Sequence, residues 1–199
     1  MAREIGVVLY DGFETLDVYG PLGLLCYHTS PTTRSPFEAV LLKPPNTEVQ
    51  GEVQSSSNLS VETYLNLGDP SLKSLDILLI PGGYGNRVLL KDREFLVRLR
   101  EVALAVLQSG GVVFCVCTGS ILLAATGLLD GVCATTNKVA YDALTPNYPN
   151  VRWKRNARWV VEGRIITSSG ITAGMVCLLF SLVLEVQANL VNRMLHWIC

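Results

Sequence analysis

The chain has 199 residues, 49% of them hydrophobic, a length that supports one well-covered core and is short for two domains. Its 16 basic and 17 acidic residues give a net charge of -1, which excludes the strongly basic surface of proteins that bind nucleic acid or anionic membranes. We therefore predict a single domain over residues 1–199, with neither nucleic acid nor a membrane as its partner.

Short apolar runs alternate along the sequence with longer segments of helical period. In chain order, the apolar runs predict strands at residues 7–10, 39–42, 77–80 and 112–116. The longer segments predict helices at residues 16–27, 92–109, 120–129, 138–144 and 172–194. A hairpin is predicted at residues 159–161 and 164–167, and polar loops are predicted at residues 30–35 and 44–54.

The predicted strands are continuously apolar rather than alternating, which indicates burial on both faces. Strands of this kind form parallel sheets, and right-handed crossovers then place helices on both faces of the sheet. We therefore predict an α/β fold with a mostly parallel sheet. In open α/β sheets, ligands bind outside the carboxyl ends of the strands, so residues that follow strands are the candidates for a functional site.

The N-terminal segment and the cysteines indicate a cytoplasmic protein with reduced thiols. MAREIGVVLYDG has charges at Arg3 and Glu4 and then a strand-length apolar run, which differs from an export signal. The cysteines expected to be reduced are Cys26, Cys115, Cys117, Cys133, Cys177 and Cys199. The apolar stretch at residues 171–186 falls short of the roughly 20 residues that span a bilayer, so it predicts a buried helix.

Cys117, in the segment VFCVCTGS, lies between a predicted strand and a predicted helix. Only Cys117, Thr118 and Gly119 separate the two elements, a tight turn that puts the cysteine in a sparsely populated backbone conformation. N–H groups at the start of the helix favour a thiolate, so we expect an acidic, nucleophilic Cys117 at a nucleophile elbow. The pair Cys115 and Cys117 supports a metal only weakly, and no metal is predicted.

Two further segments follow predicted strands at the same edge of the sheet. Gly82 and Gly83 in IPGGYGNR either form an ordinary turn or bring the N–H of Gly83 beside that of Thr118 as an oxyanion hole. Asp17 in DGFETLDVYGP lies in an apolar segment, where partial desolvation raises the pKa of a carboxyl and suits it to donate a proton. Glu14 competes with Asp17 for this role.

These three segments, in this order and spacing, resemble the ThiJ/PfpI superfamily, which has a class I glutamine-amidotransferase-like fold. The resemblance extends over residues 7–175, and its motifs are LLIPGGYG, GVVFCVCTGSILLAATGLLDG, CATTN and RIITSSGITAG. The Asp in LDVYGP and the Thr after the Cys are most similar to the isocyanide hydratase branch. The resemblance implies a flavodoxin-like three-layer sandwich, usually a homodimer, with a nucleophile at Cys117, an acid at Asp17 and an oxyanion site at Gly83 and Thr118.

Two positions depart from the family pattern. Many members with amidase, glyoxalase or deglycase activity carry a His directly after the nucleophile or at the end of an ATTH segment, where this chain has Thr118 and Asn137. The histidines of the chain, His28 and His196, are distant in sequence from the elbow, so a Cys-His dyad is poorly supported. The chemistry is then expected to use the thiolate as formed, with Asp17 as the proton source and no cofactor.

Three functions remain open from the sequence. The first is a hydratase or hydrolase in which Cys117 adds to a small electrophilic carbon such as an isocyanide, while Gly83 and Thr118 hold the developing charge. The second is a redox-sensing or stress-protective protein that acts through oxidation of Cys117, and the third is a small-molecule-binding regulatory module. A homodimer is expected, with the C-terminal helix and residues 88–90 as candidate surfaces.

Overall fold

A seven-stranded sheet forms the centre of the computed structural model, which describes residues 3–26, 35, 37–45, 51–63, 65–70, 72 and 75–186. The described strands, in chain order, are β1 Arg3–Val8, β2 Phe37–Lys43, β3 Gly51–Gln54, β4 Ser60–Thr63, β5 Leu65–Asn66, β6 Ile77–Ile80, β7 Val112–Val116, β8 Cys133–Ala134, β9 Arg152–Trp153, β10 Trp159–Glu162 and β11 Ile165–Ser168. The large sheet has the order β10-β11-β7-β6-β1-β2-β5.

The large sheet is parallel apart from one edge hairpin. Every neighbouring pair is parallel except β10 and β11, which are antiparallel and form the predicted hairpin. The central strands β1, β6 and β7 are buried at consecutive positions, as expected for strands covered on both faces. The predicted mostly parallel sheet is therefore confirmed, and β3–β4 and β8–β9 form two small separate sheets.

Helices form the layers on either side of the sheet. The described helices are α1 Thr15–Leu25, α2 Asn86–Leu89, α3 Arg93–Gln108, α4 Gly119–Ala125, α5 Tyr141–Leu144 and α6 Ile171–Val186. α1 packs against α6, which contacts β10 and β11, whereas α2, α3 and α4 pack together and α3 and α4 contact β6 and β7. This arrangement confirms the predicted flavodoxin-like α/β sandwich.

The predicted loop at residues 44–54 is wrong at its C-terminal end, because β3 begins at Gly51. β3 pairs antiparallel with β4 in a ribbon, and Val53 is the one residue of β3 that is buried, so its sequence carries little apolar signal. The ribbon docks on the connection between β1 and α1, where Gly12 N–H donates to Gln54 O at 2.7 Å. Ser56 N–H also donates to Phe13 O at 2.7 Å, which holds the ribbon beside the start of α1.

Two predicted helices are shorter than the sequence indicated. The helix predicted at residues 120–129 ends at Ala125, and Gly127 just beyond it has a φ of 79°, which ends the helical path. The helix predicted at residues 138–144 begins only at Tyr141.

Part of the prediction falls outside the described residues. This applies to His28, His196 and Cys199, to residues 30–34 of a predicted loop, and to residues 187–194 of the predicted last helix. In the portion of the chain that is described, no helix combines the length and apolar character needed to cross a bilayer.

Candidate active site

Cys117 occupies the turn between β7 and α4. β7 ends at Val116, α4 begins at Gly119, and Cys117 has a φ of 57°, a left-handed conformation that non-glycine residues rarely adopt. The Cys117 N–H donates to Ser168 O at 3.0 Å, and its carbonyl accepts the Thr136 hydroxyl at 3.1 Å. Neighbouring elements thus hold the strained residue in place, and the predicted elbow is confirmed.

Asp17 lies in the first turn of α1 with its side chain fully buried. Its Oδ2 accepts the N–H of Gly82 at 3.0 Å, its Oδ1 is buried without a hydrogen-bond partner among the described residues, and Cys117 lies on the other side of Gly82. Burial raises the pKa of Asp17 to about 7, since the hydrogen bond from Gly82 opposes it only in part and the charge of Glu14 adds to the rise. The rise in pKa predicted for this carboxyl is confirmed, and the group exchanges protons near neutral pH.

The Cys117 thiol is harder to ionise than the sequence suggested. Burial raises the pKa of Cys117 to about 12, and the charge of the neighbouring Asp17 adds to the rise. The N–H of Thr118 and the side chain of Asn137 donate hydrogen bonds to the sulfur, but they offset only part of this effect. The predicted acidic thiol is therefore wrong for the resting site, where the sulfur keeps its proton and Asp17 carries the negative charge as it ionises.

Gly82 and Gly83 bring the end of β6 against the elbow. A Cβ at Gly82 would lie 2.7 Å from Thr118 N, 2.8 Å from Cys117 Cβ and 2.9 Å from Asp17 Oδ2, so only glycine fits between Cys117 and Asp17. The N–H of Gly83 donates to Thr118 Oγ1 at 3.2 Å. The two N–H groups predicted for an oxyanion hole thus both have partners in the resting site, one on the Thr118 hydroxyl and one on the sulfur.

Glu14 lies half-buried at the N-terminus of α1. Its side chain caps the helix by accepting the Leu16 N–H at 3.5 Å, and its Oε2 accepts the Ser56 hydroxyl at 3.1 Å. Glu14 influences Asp17 and Cys117 through its charge, whereas Asp17 is the carboxyl that lies beside Gly82 and the elbow. Of the two acids that the sequence offered, the structure brings Asp17 closer to Cys117.

Asn137 is a site residue that the sequence marked only as the place of a missing histidine. Its Oδ1 accepts the N–H groups of Val139 and Ala140 at 3.0 and 3.1 Å. This leaves the amide nitrogen to donate to the Cys117 sulfur. The same contacts explain why the helix begins at Tyr141 rather than at residue 138 as predicted. The N–H groups of Val139 and Ala140 donate to the Asn137 side chain just before the helix.

Asn86 is a second site residue that the sequence did not reveal. It follows Gly82 by four residues in IPGGYGNR, and its side chain is buried against the elbow. The Asn86 amide nitrogen donates to the carbonyl oxygen and to the hydroxyl oxygen of Thr118, each at 2.9 Å. The available signal in the sequence was the position of Asn86 within IPGGYGNR, but its contact with Thr118 is seen only in the fold.

A groove lies next to the turn at Gly82 and Gly83, and Cys117 is not among its lining residues. It has a volume of about 520 Å³, and its lining residues are Asp11, Gly12, Glu52, Gln54, Tyr84, Gly85 and Val88. Within the described ranges, no cluster of three or more His, Cys, Asp or Glu side chains is placed to hold a metal ion.

The chain is similar to proteins of one family in both sequence and fold. Residues 3–182 match the sequence profile of the DJ-1/PfpI family. The isonitrile hydratase of Pseudomonas putida is 33% identical over 175 residues, which cover 88% of this chain and 68% of that protein. A THiJ/PfpI family protein from Pseudomonas syringae has a TM-score of 0.73 at 25% identity, over 93% of this chain and 69% of its own. Drosophila melanogaster DJ-1beta has the same fold, with a TM-score of 0.71 at 17% identity, over 91% of this chain and 89% of its own.

Glu14→Gln is expected to lower the pKa of Asp17 from its value of about 7, because it removes a nearby negative charge and keeps an acceptor oxygen for Ser56. A carbon NMR titration of the Asp17 carboxyl measures this directly. Glu52→Gln, which removes a carboxylate from β3 rather than from the site, is the control and leaves the titration unchanged. An Asp17 pKa that stays the same in Glu14→Gln would assign the whole rise to burial.

Gly82→Ala is expected to lower the free energy of unfolding by about 1–3 kcal/mol, because its Cβ overlaps the elbow backbone and the acid. Urea unfolding measures the change. Gly23→Ala in α1 is the matched control, since a Cβ there meets nothing within 4 Å and alanine favours the helix by about 0.5–1 kcal/mol. Equal stability of the two variants would contradict the tight approach of β6 to the elbow.

Proposed function

The chain belongs to the DJ-1/PfpI family, and from that starting point we propose that it is a cysteine-dependent hydratase. Its substrate class is a small molecule with an electrophilic carbon, such as the terminal carbon of an isocyanide. The observation that carries the proposal is the close approach of the buried Asp17 carboxyl and Cys117, since a Cβ at Gly82 would lie 2.9 Å from Asp17 Oδ2 and 2.8 Å from Cys117 Cβ. The 33% identity to an isonitrile hydratase supports the choice of substrate class.

The first step forms a thioimidate on Cys117. As the sulfur attacks the isocyanide carbon, the thiol proton moves to the Asp17 carboxylate. Asp17 then gives this proton to the same carbon, so that R–N≡C becomes R–N=CH–S–Cys117 and the carboxylate is restored. A carboxyl with a pKa of about 7 suits both transfers, because it neither holds nor releases the proton too strongly at neutral pH.

The second step releases a formamide. Water attacks the thioimidate carbon while Asp17 takes a proton from it and passes the proton to the substrate nitrogen. The C–S bond then breaks as the new hydroxyl becomes a carbonyl, and its proton returns to the sulfur through Asp17. The net reaction is R–NC plus water giving R–NH–CHO, with the thiol and the carboxylate regenerated and no cofactor consumed.

Thr118 is proposed to hold the substrate nitrogen through its hydroxyl. Both N–H groups named from the sequence have partners in the resting site, so the hydroxyl of Thr118 is the donor left for the substrate. Gly83 then acts through Thr118, because the Gly83 N–H donates a hydrogen bond to the Thr118 hydroxyl oxygen at 3.2 Å. A donor aimed at the atom next to the reacting carbon stabilises charge as it develops there.

A redox-sensing or stress-protective role for Cys117 is the second candidate. Cys117 and Cys26 are the described cysteines that are partly exposed as residues, which favours Cys117 over the buried Cys115, Cys133 and Cys177 as the site of oxidation. Oxidation proceeds through the thiolate, however, and the raised pKa of Cys117 disfavours that form at rest. Both roles need a reduced thiol, and we therefore place the protein in the cytoplasm.

Cys117→Ala is expected to abolish hydration of cyclohexyl isocyanide, and Asp17→Asn is expected to reduce it by about 10²- to 10⁴-fold, because the proton relay is lost. Proton NMR of N-cyclohexylformamide formation measures the rate. Cys26→Ala, at a half-buried cysteine outside the site, is the control and keeps full activity. An inactive wild type whose Cys117 alone gains oxygen in mild peroxide, as read by mass spectrometry, would favour the redox role.

We also propose that the protein is a homodimer that forms through α1 and α6. Four apolar side chains on these adjacent helices are exposed by 40% to 51%, namely Leu16, Tyr19, Val176 and Leu179. In the other candidate surface, residues 88–90, Val88 is exposed and Leu89 is buried, which leaves a smaller apolar area. An apolar face of this kind suits a twofold interface in which the same residues of both subunits meet.

Val176→Asp combined with Leu179→Asp is expected to weaken dimerisation at least about tenfold, because it buries charge in the interface. Size-exclusion chromatography with light scattering gives the mass as a function of concentration. Val97→Asp on α3, at a valine that is 48% exposed in the other helical layer, is the matched control and leaves the mass unchanged. A wild type that is monomeric at all concentrations, or a control that dissociates equally, would contradict this interface.

A further inference from the structure

The side-chain amide of Asn86 donates two hydrogen bonds to Thr118. Its amide nitrogen lies 2.9 Å from the Thr118 carbonyl oxygen and 2.9 Å from the Thr118 hydroxyl oxygen. An amide nitrogen has two hydrogens, so both contacts are made by donation at the same time. The Asn86 side chain is buried, with an exposed fraction of 4%, and water therefore competes little for either hydrogen bond.

The orientation of the Asn86 amide is fixed by the Thr118 carbonyl. A carbonyl oxygen can only accept, so the Asn86 atom that contacts it has to be the nitrogen. The opposite end of the amide, Oδ1, is buried and has no hydrogen-bond partner among the described residues. An unsatisfied buried acceptor is costly, and its presence here indicates that the two donations to Thr118 outweigh that cost.

The Thr118 hydroxyl can act only as a hydrogen-bond donor toward a bound molecule. A hydroxyl oxygen has two lone pairs, and here one accepts from the Asn86 nitrogen and the other from the Gly83 N–H at 3.2 Å. Neither partner can accept in return, so the hydroxyl hydrogen has to point away from both. Thr118 is half-buried beside Cys117, and the hydrogen is available to a molecule that binds at the sulfur.

We propose that Asn86 is a positioning residue that makes the Thr118 hydroxyl an obligate donor, and that the site therefore selects electrophiles whose reacting carbon carries a hydrogen-bond acceptor. The inference rests on the proposed function and deepens it. In an isocyanide the acceptor is the nitrogen, which gains a lone pair as the thioimidate forms. A nitrile also yields a thioimidate, and the same donor serves its nitrogen.

The test uses an electrophile whose reaction with Cys117 does not require turnover. 2-Cyanopyrimidine forms a reversible thioimidate with a cysteine thiol, by addition of S–H across the C≡N bond, and mass spectrometry gives the bound fraction. Asn86→Asp keeps the shape of the side chain but offers only acceptor oxygens, so the Thr118 hydroxyl turns toward it. We expect the adduct equilibrium constant to fall by about 10²-fold, as when one donor to a developing charge is removed.

A double-substitution cycle separates this role from simple support of the elbow. Thr118→Val should give a loss similar to that of Asn86→Asp, and the two changes together should be no worse than Thr118→Val alone. Asn86→Ala, which offers no acceptor, should lose less than Asn86→Asp even though it removes more atoms. Asn147→Asp, at an exposed asparagine outside the site, makes the same change of charge and leaves adduct formation unchanged.

Three results would overturn the inference. The first is an equal fall in the adduct equilibrium constant from Asn86→Asp with and without Thr118→Val. The second is a larger fall from Asn86→Ala than from Asn86→Asp. Both would indicate that Asn86 only supports the structure of the elbow. The third is a wild type that forms no adduct. A wild type that forms the thioimidate but does not hydrate cyclohexyl isocyanide would contradict the proposed function alone, and the same variants still test Asn86 through the adduct.

Discussion

The close approach of the Cys117 thiol and the buried Asp17 carboxyl is the constraint on which the rest of the site depends. Both groups are largely removed from water, so burial raises the pKa of each, and the charge of Asp17 raises the pKa of Cys117 further. A negative charge on both groups at once is therefore disfavoured. Near neutral pH the thiol therefore keeps its proton while the carboxyl titrates, and the carboxylate is the nearby acceptor for that proton when the sulfur reacts. In the proposed mechanism this one carboxyl serves as base and as acid in turn, without a histidine.

This pair forms only because the backbone comes unusually close at the edge of the sheet. Asp17 comes from α1, Cys117 from the turn after β7, and the end of β6 passes between them. Gly82 allows that passage and contributes its N–H to the carboxyl. Gly119 allows the start of α4 to press against the carbonyl of Ile80. Gly82 and Gly119 therefore allow the short distance between Cys117 and Asp17, which a side chain at either glycine would increase.

The sequence predicted the parts of this arrangement that follow from local pattern. Continuous apolar strands predicted the parallel sheet, and the three residues between β7 and α4 predicted the elbow at Cys117. The upward shift of the Cys117 pKa could not be predicted from local sequence pattern. It depends on burial by distant segments and on Asp17, a hundred residues earlier. The sequence did not reveal Asn86 and Asn137 for the same reason. An asparagine in a loop carries no functional signal until the fold places it beside Thr118 or Cys117.

The charges around the sulfur also bear on what can bind there. Apart from Cys117 itself, the charged groups that act on this thiol are carboxyls, Asp17 in contact and Glu14 farther off, and both raise the thiol pKa. An anionic substrate would add a further negative charge to a poorly solvated site, at a cost that neither Thr118 nor Asn137 can offset as neutral donors. A neutral electrophile avoids that cost, and it uses the donors as charge develops on its nitrogen. The electrostatics and the hydrogen-bond polarity of the site thus favour the same small, uncharged class of substrate.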